Sequence, residues 1–380
     1  MNFHHWLVVA VLVSAGCLLP TPAVAQEKKP EAKAKEVARA TIEAWEKRGF
    51  DMGWMGIDAH NKEVVFAADP KDLLGAIPTF QSRSAAKNLK DLPPVDVPFG
   101  LFLDHNTLVT DESLNDLAGL KNLTSLSLRG ALAPGSSDGT KDESLRQFAG
   151  LKGLTSLFVG STQVSAAGMK QIAGLKKLTT LSLAGDRVND AWLKELAGMT
   201  ALTYLDASFC RSVTDEGMKH LAGLSNLTMI RLSYTGVTSQ GLKDLAGLKN
   251  LTCLFLDNNS IGEPGMKVLA AMAGLTTIDL NGDRFDEPVT DLGLKELTAL
   301  KNLTVLRVSS RKITDIGLKH VAELRSLTEL SLGLASITDA GLKPLAGLTN
   351  LTTLTLWTVP ITGAGVAELQ KALPKCKITR

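Results

Sequence analysis

One unit, L-T-x-L-x-L followed about fifteen residues later by T-D-x-G-L-K-x-L-A-G-L, recurs ten times between Leu123 and Leu369. Repetition at a spacing near 24 residues (Leu154, Leu178 and Leu202 are successive copies) constrains the architecture before any single residue is read. The first Leu of the unit falls at 123, 154, 178, 202, 227, 251, 275, 303, 327 and 351, and Thr follows it every time. The fourth position is Leu or Ile throughout, from Leu126 and Leu157 to Leu330 and Leu354. The sixth is apolar throughout, from Leu128 and Val159 to Leu332 and Leu356. Such columns are the signature of a stack.

Apolar positions 4 and 6 around a variable position 5 have the period of a short strand with one buried face. The second half of the unit, as in Val213-Thr214-Asp215-Glu216-Gly217-Met218-Lys219-His220-Leu221-Ala222, spaces its apolar residues three and four apart. That is helical spacing. Thr214-Asp215, Thr290-Asp291, Thr314-Asp315 and Thr338-Asp339 stand where a helix N-terminus needs an oxygen acceptor. Gly223, Gly247 and Gly347 stand where the helix must stop. Each unit is therefore predicted to be strand, loop, short helix, loop. No unit buries its own apolar face, so neighbours must cover it and the chain must be a solenoid. The expectation is an α/β architecture with a parallel β-sheet lining the concave surface, helices on the convex surface, and about ten repeats plus caps.

These columns resemble leucine-rich repeats. The T-D-x-G-L-x-x-L-A half is similar to the cysteine-containing subclass found beside F-box domains, and Cys210-Arg211-Ser212-Val213-Thr214-Asp215 keeps that pattern best. Elsewhere the Cys position holds Thr162, Asp186, Thr235, Asn259 or Asp283. The resemblance covers residues 99–380 and implies a horseshoe fold that binds protein without catalysis. It also makes a ubiquitin-ligase adaptor a remote alternative, which the N-terminal 98 residues, unlike an F-box bundle, do not support.

Residues 1–25 contain no Lys, Arg, Asp or Glu, and Trp6 opens a nearly continuous apolar run that ends at Leu19. With Ala23-Val24-Ala25 before Gln26, this reads as a secretory signal peptide cleaved after Ala25. Cys17, preceded by Ser14-Ala15-Gly16, leaves lipoprotein anchoring as a minor alternative. The run is short for a membrane span. Residues 26–35 read as a charged tether. Residues 36–98 are expected to be a helix ending near Arg48, carrying Val37, Thr41, Ile42 and Trp45 on one stripe, followed by a cap. That cap includes a hairpin of 55–59 and 64–67 turning at His60-Asn61-Lys62. Residues 99–103 read as a degenerate first strand, with Thr110-Asp111 in phase with the later helices, and 373–378 as a closing strand. The chain is expected to act outside the cytoplasm, as secreted bacterial proteins of this repeat type do.

With 41 basic against 39 acidic residues, the formal charge of +2 gives no basic face for nucleic acid. Cys210 and Cys253 lie two repeats apart at different phases, too far for a disulfide. Five Asn-Leu-Thr triplets, at Asn122, Asn226, Asn250, Asn302 and Asn350, read as repeat consensus rather than glycan acceptors. Of the histidines beyond the expected leader, His60, His105, His220 and His320, none is phased with a nucleophile and a carboxylate. Asp279-Leu280-Asn281-Gly282-Asp283 opens like a calcium loop, but Leu280 is a column residue and Arg284 stands where such a loop needs Gly. No metal, cofactor or enzymatic activity is expected. Two insertions, 131–137 and 284–288, are weaker candidates for binding.

Phase gives the sharper surface signal. Strand positions 3, 5, 7 and 8 face the concavity. They carry Tyr204, Asp206 and Phe209, then Met229, Arg231 and Tyr234, then Phe255 and Asp257, with Phe158 two repeats earlier. Aromatics with Arg, contiguous and exposed, have the composition of an interface hot spot. Trp357 is a second, weaker spot. The expected function is recognition of a protein or peptide on this face. Glycan or envelope-matrix binding and a structural spacer role are the alternatives.

Overall fold

The computed structural model describes residues 37–58, 64–71, 73–82, 89–90, 92–104, 116–130, 146–160, 166–185, 188–282 and 287–380. The expected leader and tether, the 60–62 turn, Thr110-Asp111, the 131–137 insertion and residues 283–286 lie outside these.

The chain begins with α1 (Arg39–Glu46), β1 (Phe50–Asp58), β2 (Val64–Ala67) and β3 (Leu73–Ser82). The repeating strands follow as β4 (Phe99–Phe102), β5 (Leu123–Ser127), β6 (Ser156–Phe158), β7 (Thr180–Ser182), β8 (Tyr204–Asp206), β9 (Met229–Arg231) and β10 (Cys253–Phe255). The last are β11 (Thr277–Leu280), β12 (Val305–Ser309), β13 (Glu329–Gly333), β14 (Thr353–Trp357) and β15 (Lys377–Thr379). Between successive strands from β6 to β15 lie α2 (Ala166–Ala173), α3 (Asp190–Leu196), α4 (Asp215–Leu221), α5 (Ser239–Leu245), α6 (Gly262–Ala270), α7 (Asp291–Leu297), α8 (Asp315–Val321), α9 (Asp339–Leu342) and α10 (Gly363–Ala372). All strands join one open sheet in the order β2-β1-β3-β4 and then sequentially to β15. Pairing is parallel from β3 onward and antiparallel among β1, β2 and β3. Helices need about 8–10 Å between axes and strands only about 4.8 Å, so the helix side is the outer, convex side.

The strands are in exact repeat phase: Leu157, Leu181, Leu205, Ile230, Leu254, Ile278, Leu306, Leu330 and Leu354 pair in sequence. Each is fully buried, an environment worth about 1.5–3 kcal/mol per side chain. The ten threonines have a purpose beyond consensus. Each donates its hydroxyl to a backbone carbonyl one rung back, from Thr124 to Phe99 and from Thr155 to Thr124, continuing to Thr352 and Thr328, at 2.9–3.2 Å. Asn122, Asn226, Asn250 and Asn350 donate their side-chain amides in the same way to carbonyls of the preceding rung at 2.7–3.0 Å.

The T-D-x-G motif is a clamp between adjacent helices. Thr238 caps α5 by accepting from the Gln240 N–H, and its own N–H and hydroxyl donate to the two carboxylate oxygens of Asp215 in the preceding helix, at 2.8 and 2.7 Å. The same pair of bonds joins Thr214 to Asp190, Thr314 to Asp291, Thr338 to Asp315 and Thr362 to Asp339. The Thr362 hydroxyl, with its N–H, holds the Asp339 carboxyl below the usual carboxylate range. The motif glycine then explains itself. A methyl at Gly241 would sit 2.5 Å from the Asp215 Oδ1 and 2.9 Å from the Met218 Cγ. Repeat six lacks the pair, and Glu263 accepts the Thr290 hydroxyl instead at 2.7 Å.

At the N-terminal end Trp45 plugs the stack. It stacks on Phe80 at 4.2 Å between ring centroids, meets Phe50 and Phe99 edge-on, and donates its indole N–H to the Pro93 carbonyl. α1 is shorter than the expected helix at both ends. The hairpin strands β1 and β2 pair as expected, and β3, which joins the hairpin to the repeats, is an addition the pattern did not show. Cys210, Cys253 and Cys376 are buried thiols.

The clamp makes a counter-intuitive prediction. Gly to Ala inside a helix ordinarily stabilises by about 0.5–1 kcal/mol. Gly241→Ala should instead destabilise by about 1–3 kcal/mol through overpacking, and Thr238→Ala by about 1–2 kcal/mol through loss of the cap. Urea unfolding with matched slopes is the measurement.

Candidate recognition surface

The concave face divides into two parts, and the N-terminal part is closed. Met55, from β1, lies across Gly100, where the absence of a side chain leaves room, and reaches within 4.0 Å of the Ser125 hydroxyl. Met55 and Phe158 are buried together, with Ile57 and Phe102 packed against them, apart from the leucine core. Phe66 meets Phe102 at 5.8 Å and the Arg129 guanidinium lies 5.7 Å from the Phe158 ring. Phe158 is thus a packing residue of the N-terminal cap and is not exposed.

Further along, the expected contiguous exposure of the patch is corrected in part. Tyr204 and Phe255 are 3% and 2% exposed. Tyr204 pairs in register with Thr180 and Met229, and Phe255 with Arg231 and Asp279. Rungs about 4.8 Å apart bring long side chains of neighbouring strands onto one another, and the Arg231 guanidinium sits 4.4 Å over the Phe255 ring. Met229, Arg231, Asp206 and Asp257 are half-buried. The weaker spot, Trp357, lies across Gly333, whose missing side chain accommodates the indole.

What remains exposed is Phe209 and Tyr234, 55% and 39% accessible. Their rings are stacked, 4.9 Å between centroids and 15° between planes. Both hold position 8, where the turn off the strand takes positive φ: Gly130, Gly185 and Gly282 meet it with glycine, Asn258 with asparagine, and Leu334 and Thr358 adopt it in the last two repeats. Phe209 and Tyr234 adopt φ of 62° and 56°, a conformation costing an ordinary residue about 1–2 kcal/mol. Strain tolerated by bulky, solvent-facing side chains is a pointer to function. Sequence phase placed these two residues in the patch; it gave no sign that they alone of its aromatics face solvent.

Carboxylates bracket the stack. Asp206 ends β8, three residues before Phe209, its Oδ1 accepting the Ser208 N–H at 3.0 Å. Asp257 accepts the Tyr234 N–H through its backbone carbonyl at 2.9 Å and the Ser233 hydroxyl through its carboxylate. Burial, then the neighbouring Asp279, pushes the Asp257 carboxyl up to about 6, against the opposing pull of Ser233 and Arg231. Burial also raises Asp279, although Arg307 draws it down. Arg307 reaches Glu329 at 2.6 Å and Asp279 at 3.3 Å. Burial opposes the Arg307 charge, but these two carboxylates outweigh it and raise its pKa. Burial and Asp257 raise the Tyr234 phenol.

Residues 323–346 match the family model described as Leucine Rich repeat. The chain is built of leucine-rich repeats. Among solved structures, this leucine-rich repeat chain is similar to an internalin (InlF) from Listeria monocytogenes, 21% identical with a TM-score of 0.45, over 71% of this chain and 88% of that one. It is also similar to internalin C2 from the same organism, 28% identical with a TM-score of 0.44, over 61% of this chain and 96% of that one. No curated protein matches it. The leucine-rich repeat fold is typically a non-catalytic, protein-binding scaffold. His220 and His320 sit on the convex helices α4 and α8. Among the described residues no group of three His, Cys, Asp or Glu side chains is placed to hold a metal ion, and no helix is long and apolar enough to cross a membrane.

The Asp257 proton is bound more tightly by the folded chain than by the unfolded one, whose carboxyl titrates near 3.8. Its contribution to stability is present below about pH 4 and is lost as pH rises through about 6. Asp257→Asn, which retains an acceptor for Ser233, should therefore raise stability at pH 7 by about 1–3 kcal/mol and leave it nearly unchanged at pH 4. Urea unfolding at the two pH values checks the sign.

Proposed function

We propose that this chain is a recognition scaffold acting outside the cytoplasm, and that it grips a protein or peptide on the concave strands of repeats four to six, with Phe209 and Tyr234 as anchors. The observation that carries the reading is the stacked, exposed aromatic pair held on left-handed backbone. Large rigid side chains give contact area at low entropic cost, and nothing in the fold needs an aromatic here: Gly, Asn, Leu and Thr hold the same left-handed position 8 in other repeats. Tyr204, Phe255, Arg231 and Asp257 form the platform beneath. Export rests on the apolar, charge-free residues 1–25 with Ala25 as the cleavage site. The side-chain work of four of the five Asn-Leu-Thr asparagines supports their reading as structure and not as glycan acceptors.

A second reading, carbohydrate binding, is favoured by one separate feature. A cavity of about 250 Å³ opens at the edge of repeats six to eight, where Asn258, Asn281, Ser310 and Glu287 surround Ile261 and Val289. Amides and hydroxyls over an apolar floor suit one sugar ring. A glycan array with wild type and Asn281→Ala tests it: binding lost in the variant supports the reading, and an array without hits removes it.

The test of the main reading separates stability from recognition. Replacing both Phe209 and Tyr234 by Asn relieves about 1–2 kcal/mol of backbone strain per site and forfeits about 0.5–1.5 kcal/mol of ring stacking. Stability should hold or rise. Retention of partners from the native envelope fraction should weaken by about 1–2 kcal/mol or more, as for buried anchors. Undiminished retention by the double variant would overturn the proposal.

A further inference from the structure

The charges around the aromatic stack specify the partner more closely, an inference that rests on the recognition surface just described. On the strand face of repeats four to nine stand four carboxylates, Asp206, Asp257, Asp279 and Glu329, and two guanidiniums, Arg231 and Arg307. Four against two leaves this stretch of sheet acidic by two formal charges, on a chain that is nearly neutral as a whole. Both guanidiniums are already engaged. Arg307 spans Glu329 and Asp279. Arg231 lies over the Phe255 ring, in register with Asp206.

Carboxylates thus flank the exposed rings, one on the rung of Phe209 and one on the rung after Tyr234. Asp206 stands on β8, at the base of the Phe209 turn, and Asp257 follows β10, beside Tyr234. Arg231, on the rung between them, serves both of these half-buried acids, in register with Asp206 and drawing Asp257 down. The two acids still exceed it by one formal charge, which a partner's cation over the rings would balance. The π face of the stack attracts a cation on its own account, the more so as the contact is desolvated. The pair Arg231 and Phe255, one rung away, shows the same contact made within the chain. Attraction by the carboxylates and by the rings points the same way, and both disfavour an acidic partner.

We propose that the partner segment is a basic extended peptide that seats an Arg or Lys over the Phe209–Tyr234 stack between Asp206 and Asp257.

The test uses three Gly/Ser peptides of equal length, one with interspersed Arg, one with interspersed Glu and one uncharged, titrated into the full chain by fluorescence anisotropy. The Arg peptide is expected to bind at least about tenfold more tightly than the others. Asp206→Asn with Asp257→Asn, both isosteric and retaining their hydrogen-bond acceptors, should lower that affinity about tenfold or more. Glu216→Gln with Glu368→Gln, which removes the same formal charge from the convex helices α4 and α10, should leave it unchanged. Equal binding of the three peptides, no binding of any, or equal losses in the two double variants overturns the inference. The Phe209/Tyr234 double variant separates it from the parent reading. If the uncharged or Glu peptide binds best and needs the aromatic pair, the face recognises a peptide but not a basic one. If the Arg peptide binds without needing the pair, the anchoring role of the stack fails together with this inference.

Discussion

Every helix from α4 to α10 except α6 reaches the one before it through the same small contact, a threonine at the N-terminus of one helix clasping a carboxylate in the preceding one. α6, where Ile261 precedes the helix, departs from this, and Glu263 serves the α7 side of that junction. The clasp depends on closeness, and closeness depends on a glycine in the first turn, since a β-carbon there would strike the carboxylate. Three residues spaced as T-D-x-G therefore set the distance between helices, and that distance holds the leucines of adjacent rungs in contact. On the strand side the threonine hydroxyls and asparagine amides do the corresponding work along a second and third line. The apolar columns supply the driving force, and these polar lines set the registry. A leucine column alone would tolerate a slipped rung; a carboxylate with two donors aimed at it would not.

The same tight spacing governs the recognition face. Rungs close enough to share hydrogen bonds are close enough for long side chains to lie on their neighbours, so most large residues of the inner face are spoken for. Met55 and Phe158 close one end. Arg231 covers Phe255. Arg307 joins two acids. Only where the chain turns off the strand, at position 8, does a side chain clear the packed layer, and there the backbone conformation penalises anything but glycine or asparagine. Leu334 and Thr358 bear that penalty as well, and Phe209 and Tyr234 stand out among them as a stacked, exposed aromatic pair.

Much of this was legible in the residues. The columns, the caps, the strand register and the closing strand all follow from periods of two, three to four, and about 24. Two things did not. β3 was hidden because Leu73–Ser82 holds Gly75 and Pro78 and lacks clean alternation, although it pairs with β1 on one side and β4 on the other. Exposure on the inner face was misjudged because phase tells which way a side chain points and says nothing of what its neighbours on the next rung cover. That Gly100 would leave room for Met55, and Gly333 for Trp357, depends on residues distant in sequence. The left-handed turn was readable at the glycines of position 8, but its extension to Phe209 and Tyr234 required the backbone itself.

Because each junction between rungs is made from the same donors and acceptors, the lattice has no natural length. A duplicated block of coding sequence inserted between two copies would find complementary groups waiting above and below, and one removed would let its former neighbours meet on matching terms. Two junctions are exceptions: between repeats five and six, where Ser239 stands in place of the aspartate and Ile261 precedes the helix in place of the threonine, and between six and seven, where Glu263 accepts from Thr290 in the aspartate's stead. Growth or loss by recombination is chemically silent elsewhere along the array and would be felt there.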